Sequence, residues 1–204
     1  MAVLALVIWV VWALLAFGLR GWIQWRRTGD AGFRGIGRAP GAVHWWAGVL
    51  VVAGPLLGVG GAVAAIAGME AVTVLDHAAV LGAGVVVALG GVAGTVAAQL
   101  SMGASWRVGV DESERTELVT AGVFALARNP IFTAMIVTVA GLTAMTPNPV
   151  SLGGLVLTVV AIELQVRAVE EPYLRRVHGD AYARYAAAVG RFLPGIGRHE
   201  LGRS

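Results

Sequence analysis

Near the carboxyl end two carboxylates stand side by side, Glu170 and Glu171, with Arg167 just before them and Glu163 one turn further back. On a helix this spacing places Arg167, Glu170 and Glu171 on adjoining parts of one surface and pairs Glu163 with Arg167 at i, i+4. A carboxylate at the carboxyl end of a helix is disfavoured by the dipole, so a positive partner is expected nearby. Upstream, "ALARNPIFTAM" sets Arg128, Asn129 and Pro130 directly against an apolar run. Asparagine is a good helix N-cap and proline a good first helical residue. The helix they open should present free N–H groups and a positive dipole end, which suits an anionic group. Carboxylates that accept from ammonium or hydroxyl groups, an arginine that can orient an anion, and Tyr182 and Tyr185 at i, i+3 make this half of the chain the place for chemistry. A solvated helix end and a satisfied Glu163–Arg167 pair are the plainer readings of the same residues.

Some chemistry is excluded. The chain has no cysteine, so disulfides, thiolate catalysis and cysteine metal sites fall away. His44 and His77 sit at the edges of apolar segments on opposite faces of the expected membrane, so no metal site is assigned.

The elements that must position these groups follow from composition. Of 204 residues, 57% are hydrophobic and 13% charged, about half the charged share of an average soluble domain. The apolar residues form long blocks, which read as transmembrane helices. Five blocks are expected, at about 2–19, 43–67, 78–100, 130–145 and 151–166. The last two are about 25 Å long at 1.5 Å per residue, and "TPNPV" between them predicts a tight antiparallel hairpin. The first block lacks a basic region before it and is followed by arginine, so it reads as a retained anchor. The expected fold is an all-α polytopic membrane protein: one membrane domain over 1–204, with three spans in 1–100 and a loop, hairpin and tail in 101–204.

Every basic residue is arginine, and all 15 fall after the first, third or fifth block. With five spans they share one face, which the positive-inside rule makes cytoplasmic. The amino terminus is then outside and the carboxyl terminus inside. The net charge of +3 is explained by topology and anionic headgroups, and no nucleic-acid partner is expected. Gly54 with Gly58 and Gly90 with Gly94 have the spacing of close helix packing, within one bundle or in a homodimer. Trp9, Trp12, Trp22, Trp25, Trp45 and Trp46 mostly suit an interfacial belt. Glu163 is the single ionisable candidate within a span, which argues against a carrier or channel.

The loop "SMGASWRVGVDESERTELVTAGVFALARNP" is longer than a connector needs, and the tail from Glu163 is amphipathic. Together they are expected to cap the inner ends of the last two spans. Pro172 should kink the chain or start a new helix. Gly179 can take positive φ and Asp180 can cap the next helix; Gly190 can end that helix.

"ELVTAGVFALARNPIF" followed by "EEPYLRRVHGDAYARYAAAVGRFLP" resembles the isoprenylcysteine carboxyl methyltransferase and phospholipid methyltransferase superfamily. Leu118, Val119, Gly122, Arg128 and Pro130 carry the first half. Glu170, Glu171, Leu174, Gly179, Tyr182, Tyr185, Val189, Arg191 and Pro194 carry the second. The likeness covers about the last 80 to 90 residues. Asn129 stands where the family usually has histidine, Phe124 and Phe132 where it has tyrosine, and His178 where it has phenylalanine, so roles needing those imidazole or phenol groups do not transfer.

The resemblance implies an S-adenosyl-L-methionine-dependent methyltransferase with its cofactor on the cytoplasmic side of a membrane, as in a bacterial cytoplasmic membrane. Thr116, Glu117, Leu118 and Val119 would pass beside the cofactor and Phe124 would flank it. Asn129, Pro130, Ile131 and Phe132 would touch it largely through backbone, Glu170 would bind it directly, and Arg128 and Tyr185 join the set. Arg167 would be associated with the substrate. An in-line methyl transfer needs alignment and a dry site. A carboxylate acceptor needs no base; an amine or hydroxyl needs a proton sink, for which Glu163, Glu171 and Tyr185 are candidates. The acceptor is expected to be lipid-like or otherwise hydrophobic, with membrane lipids as partners and a monomer or homodimer as the unit. The alternative is a non-catalytic membrane protein of the same fold that binds a hydrophobic ligand or partner.

Overall fold

The structure, a computed structural model, is all-α and describes residues 1–33, 41–106 and 117–199. The first apolar block forms α1 (Ala2–Ala13), which runs through a π-helical turn (Leu14–Leu19) into α2 (Arg20–Thr28) as one continuous helix. It ends where Gly29 turns left-handed at φ 75°. Helices α3 (Val43–Ile66) and α4 (Ala78–Ser101) follow. Pro130 and Pro149 each begin a helix, α5 (Pro130–Met145) and α6 (Pro149–Leu164), where the missing N–H has no intrahelical partner to lose. Asn148 caps α6: its Oδ1 accepts from Val150 N and Ser151 N, and its Nδ2 donates to Gly61 O at 2.8 Å, tying the hairpin turn to α3. Helix α6 continues through a second π-helical turn (Gln165–Glu170) into α7 (Glu171–Ala188).

Among the described residues four helices, not five, are long and apolar enough to cross a membrane: Ala2–Thr28, Val43–Ile66, Ala78–Ser101 and Pro149–Ala188. The expectation of five spans is corrected by α5. Its 16 residues reach about 24 Å, short of a hydrocarbon core of about 30 Å. The other short block escapes this limit because it runs on unbroken into the tail. The assignment of the two termini to opposite sides rested on five crossings and goes with them.

The helices pack as two tight seams, α4 on α5 and α3 on α6, with α1 laid against α3. In both seams glycine removes the side chain that would hold the backbones apart. A Cβ at Gly141 on α5 would overlap the backbone of Ala88 on α4, and one at Gly91 would overlap Thr138. Across the other seam a Cβ at Gly154 would stand 2.8 Å from Gly58 Cα, and one at Gly54 would stand 2.8 Å from Thr158 Cα. Gly54 and Gly58 thus pack inside the bundle. On α4 the seam uses Gly84 and Gly91; Gly90 has no neighbour within 4 Å of its would-be Cβ.

Helix α1 keeps one register with α4 through polar contacts. Trp12 Nε1 donates to Thr95 Oγ1 at 3.3 Å and Gln99 Nε2 donates to Ala16 O at 3.0 Å. Arg20 Nη2 donates to Gly103 O one step further along. Trp12 is therefore a core residue, 2% exposed, rather than part of a belt; Trp22, Trp25 and Trp46 are exposed.

Candidate functional site

The tail is fastened to the start of α5 by backbone and by charge. Arg128 N donates to Gly190 O at 2.9 Å and Asn129 N to Arg191 O at 3.0 Å, a short parallel pairing of the two segments. Thr133 Oγ1 donates to Phe192 O at 2.9 Å. Asn129 occupies the cap position of α5, but its side chain does not cap. Its Nδ2 donates to Arg191 O at 3.2 Å instead, because a tertiary acceptor lies alongside. The N–H groups of Ile131 and Phe132, in the first turn, have no carbonyl within the helix to bond.

Beneath this pairing lies a buried ion cluster. Arg128 Nη2 donates to Glu171 Oε1 at 2.9 Å, Arg191 Nε to the same oxygen at 2.8 Å, and Arg191 Nη2 to Glu171 Oε2 at 3.0 Å. His199 Nε2 stands 3.3 Å from Glu171 Oε2. Arg128 Nη1 also donates to the carbonyls of Ala186 and Val189 and Nη2 to that of Gly197, at and beyond the carboxyl end of α7, while its Nε is buried without a hydrogen-bond partner among the described residues. A guanidinium at a helix carboxyl end is favoured by the dipole. The hydrogen bonds that Arg191 donates to Glu171 hold it above the usual arginine range, while burial lowers His199. The positive partners expected for the glutamate pair are thus Arg128 and Arg191, both supplied from far along the chain.

Between this cluster and the bundle interior lies a cavity of about 580 Å³. Every residue expected to touch the cofactor lines it, within the described part of the chain. Glu117, Leu118 and Val119 form one edge, with Phe124 beside them. Arg128, Asn129, Pro130, Ile131 and Phe132 form the next wall, and Glu170 and Tyr185 come from the other side. Thr116 lies outside the described residues. Tyr185 Oη donates to Phe124 O at 2.6 Å, closing one corner, and Tyr182 packs edge-on against Tyr185 at 6.3 Å.

The three residues expected to act on the acceptor are placed elsewhere. Glu171 is in the ion cluster, with both oxygens engaged. Glu163 and Arg167 pair with each other on an exposed helix face. None of the three lines the cavity.

Two features were not read from the sequence. The cavity extends past Phe132 and Met135 into the bundle, where Trp9, Trp12 and Ala16 on α1 and Val51, Pro55 and Leu56 on α3 line it. The first hundred residues therefore build part of the site; the tryptophans in the middle of the first apolar block were the available signal. The second feature is the pair of π turns, which place Ala16 and Phe17 on one side of the cavity and Gln165 and Glu170 on another. Such turns recur at functional sites. Pro172 marks the second: it cannot donate to the carbonyl four residues back, and the π turn covers the residues just before it. Gly179 takes φ 49° as expected, and α7 kinks there.

A family model described as phospholipid methyltransferase matches residues 78–181, about half of the 204-residue chain. The chain belongs to this family. No curated protein matches it. Membership places it among the S-adenosylmethionine-dependent methyltransferases that act in a membrane, and the apolar helices agree with an integral membrane protein. The family match also begins earlier than the motif resemblance: it takes in α4, whose seam with α5 sets the wall that carries Asn129 to Phe132.

Proposed function

We propose that the cavity is a methyl-transfer site, with S-adenosyl-L-methionine at its polar end and a lipid-like or otherwise hydrophobic acceptor in its apolar extension. The observation that carries this reading is that the residues singled out by motif, from segments far apart in the chain, line one cavity that continues into the membrane-embedded interior.

The residues suit the cofactor. Glu117 and Glu170 are carboxylates that can accept from an ammonium group and from ribose hydroxyls. The opening turn of α5 offers N–H groups and a positive dipole end to a carboxylate. Phe124 and Phe132 offer apolar faces to adenine. The volume is within the range of small-molecule sites, about 300–1,000 Å³. The cofactor supplies a methyl group carried on a sulfonium.

The chain's own part is alignment and exclusion of water. The apolar walls from α1, α3 and α5 keep the acceptor compartment dry. Arg128 and Glu171, committed to each other and to the tail, hold the cofactor walls together, and we assign Glu171 to that role rather than to proton transfer. Of the expected proton acceptors only Tyr185 lines the cavity. The arginine-rich end of the bundle, by the positive-inside rule, is the cytoplasmic one, from which a water-soluble cofactor would enter.

Calorimetric titration of the purified chain with S-adenosylmethionine tests the reading. Binding is expected, and Glu170→Ala should weaken it by more than tenfold, in line with loss of a hydrogen bond to a charged group, about 1.5–3 kcal/mol. A well-folded protein that does not bind would return the non-catalytic alternative, and unchanged affinity in the variant would remove Glu170 as a direct ligand. Arg167→Ala is expected to leave cofactor affinity and methyl transfer within about threefold and stability within about 1 kcal/mol, as for exposed ion pairs. A loss of transfer of tenfold or more would restore Arg167 as an acceptor-orienting group.

A further inference from the structure

The turn that closes over the ion cluster is fastened at both ends. At its start Gly190 O and Arg191 O take the N–H groups of Arg128 and Asn129, two residues that line the cavity. The chain then folds back tightly: Arg191 N donates to Ile196 O at 2.7 Å, and a Cβ at Gly190 would overlap Leu193 O. Towards its far end Gly197 O takes Arg128 Nη2, and His199 N donates to Ala186 O at 3.0 Å. His199 thus returns the chain to α7, with one backbone bond and its ring.

That ring is set among charges. Its Nε2 stands 3.3 Å from Glu171 Oε2 and 3.5 Å from Arg191 Nη2, and Arg175 Nη2 lies 3.1 Å from its Nδ1 and 3.0 Å from its Nε2. A neutral ring with its proton on Nε2 meets Glu171 and Arg175 at once: Nε2–H donates to the carboxylate, and the Nδ1 lone pair accepts from the guanidinium. A second proton occupies that lone pair and sets one donor against another. It also adds a positive charge among three guanidinium groups, Arg128, Arg175 and Arg191, and one carboxylate that Arg128 and Arg191 already bond. Among the described residues these are the charged groups around the ring. Like charges disfavour the charged form. Burial lowers the proton affinity of His199, and Arg175 and Arg128 lower it further against the pull of Glu171. The side chain is 29% exposed, so a proton can still reach it from water.

We propose that His199 is a proton-sensitive latch of the cofactor site: neutral, it fastens the turn of residues 190–199 against α7; protonated, it leaves, and the wall bearing Arg128 and Asn129 loosens. Because the ring takes up a proton less readily in the folded chain, the latch contributes stability above the ordinary histidine value of about 6.5. That contribution is lost as pH falls through the lowered one. The effect on the cofactor rests on the cavity being its site; the latch itself rests on the contacts of the turn.

The test is calorimetric titration of the full chain in detergent with S-adenosylhomocysteine at about pH 8 and about pH 5, either side of the histidine range. Affinity is expected to fall at least fivefold at the lower pH. In His199→Gln, whose amide keeps a donor and an acceptor but takes up no proton, it should fall less than twofold. A fixed charge should act without acid. At the higher pH, His199→Lys should bind at least fivefold more weakly than His199→Met, an uncharged chain of similar length, and its Arg128 and Asn129 amides should exchange hydrogen faster. No fall in the wild type, the same fall in His199→Gln, or equal affinity and exchange in the lysine and methionine variants would each overturn the latch. Should the chain unfold at the lower pH, the lysine and methionine variants decide it. Failure of the wild type to bind at the higher pH would overturn the methyl-transfer reading, a distinct result, and amide exchange in the two variants would still decide the latch.

Discussion

Glu171→Ala is expected to destabilise the folded protein by about 3–5 kcal/mol, the range for breaking a buried ion pair from one side. The variant leaves the Arg128 side chain, 1% exposed, without its carboxylate, and releases Arg191 from a two-point contact. Those contacts hold the 190–199 segment against the start of α5, so the cofactor walls should loosen with the fold. Thermal unfolding in detergent should show a clear drop in midpoint, with cofactor affinity falling alongside. Glu171→Gln, which keeps the shape and some hydrogen bonds but not the charge, should fall between. The same pair of measurements addresses the opposing reading of Glu171. If Glu171→Ala melts like the wild type and binds S-adenosylmethionine normally but does not transfer methyl groups, Glu171 belongs to the chemistry after all.

Gly141→Leu should be comparably damaging, at about 3 kcal/mol or more, because the seam between α4 and α5 has no room for any side chain there. The backbone of Ala88 would have to retreat, and with it the packing that fixes the first turn of α5. Gly90→Ala, one helix position from the seam, is the control. Its Cβ would meet nothing within 4 Å, so the change should be neutral or stabilise by up to about 1 kcal/mol through helix propensity. Equal melting temperatures for the wild type and Gly141→Leu would show that the helices do not approach as closely as described.

The motif residues themselves were legible. Asn129, Pro130, Glu117 and Glu170 could be singled out because helix-start chemistry, paired carboxylates and family spacing leave local marks. Their partners were not. Arg128 stood beside an apolar run and in the cofactor set, and nothing local says that its Nη donors end on Ala186, Val189 and Gly197. Asn129 read as a cap by propensity, and a neighbouring chain segment took its side chain instead. The span count failed for a related reason: 16 apolar residues look alike before and after a hairpin turn, and only the continuation of one of them through a π turn separates α6 from α5.

Composition and spacing alone determined that this is a helical membrane protein with its chemistry in the carboxyl-terminal half, because long apolar runs and clustered polar residues have no other economical arrangement. The tertiary structure decided how the glutamate pair divides. Neighbouring residues on a helix point about 100° apart, so one of Glu170 and Glu171 can face the cavity while the other faces away. The π turn chose Glu170 for the cavity and turned Glu171 to Arg128 and Arg191. The packing also brought α1 and α3, bland as sequence, to the cavity as its apolar wall, since which face of an evenly hydrophobic helix looks inward is set by its neighbours and not by its own residues.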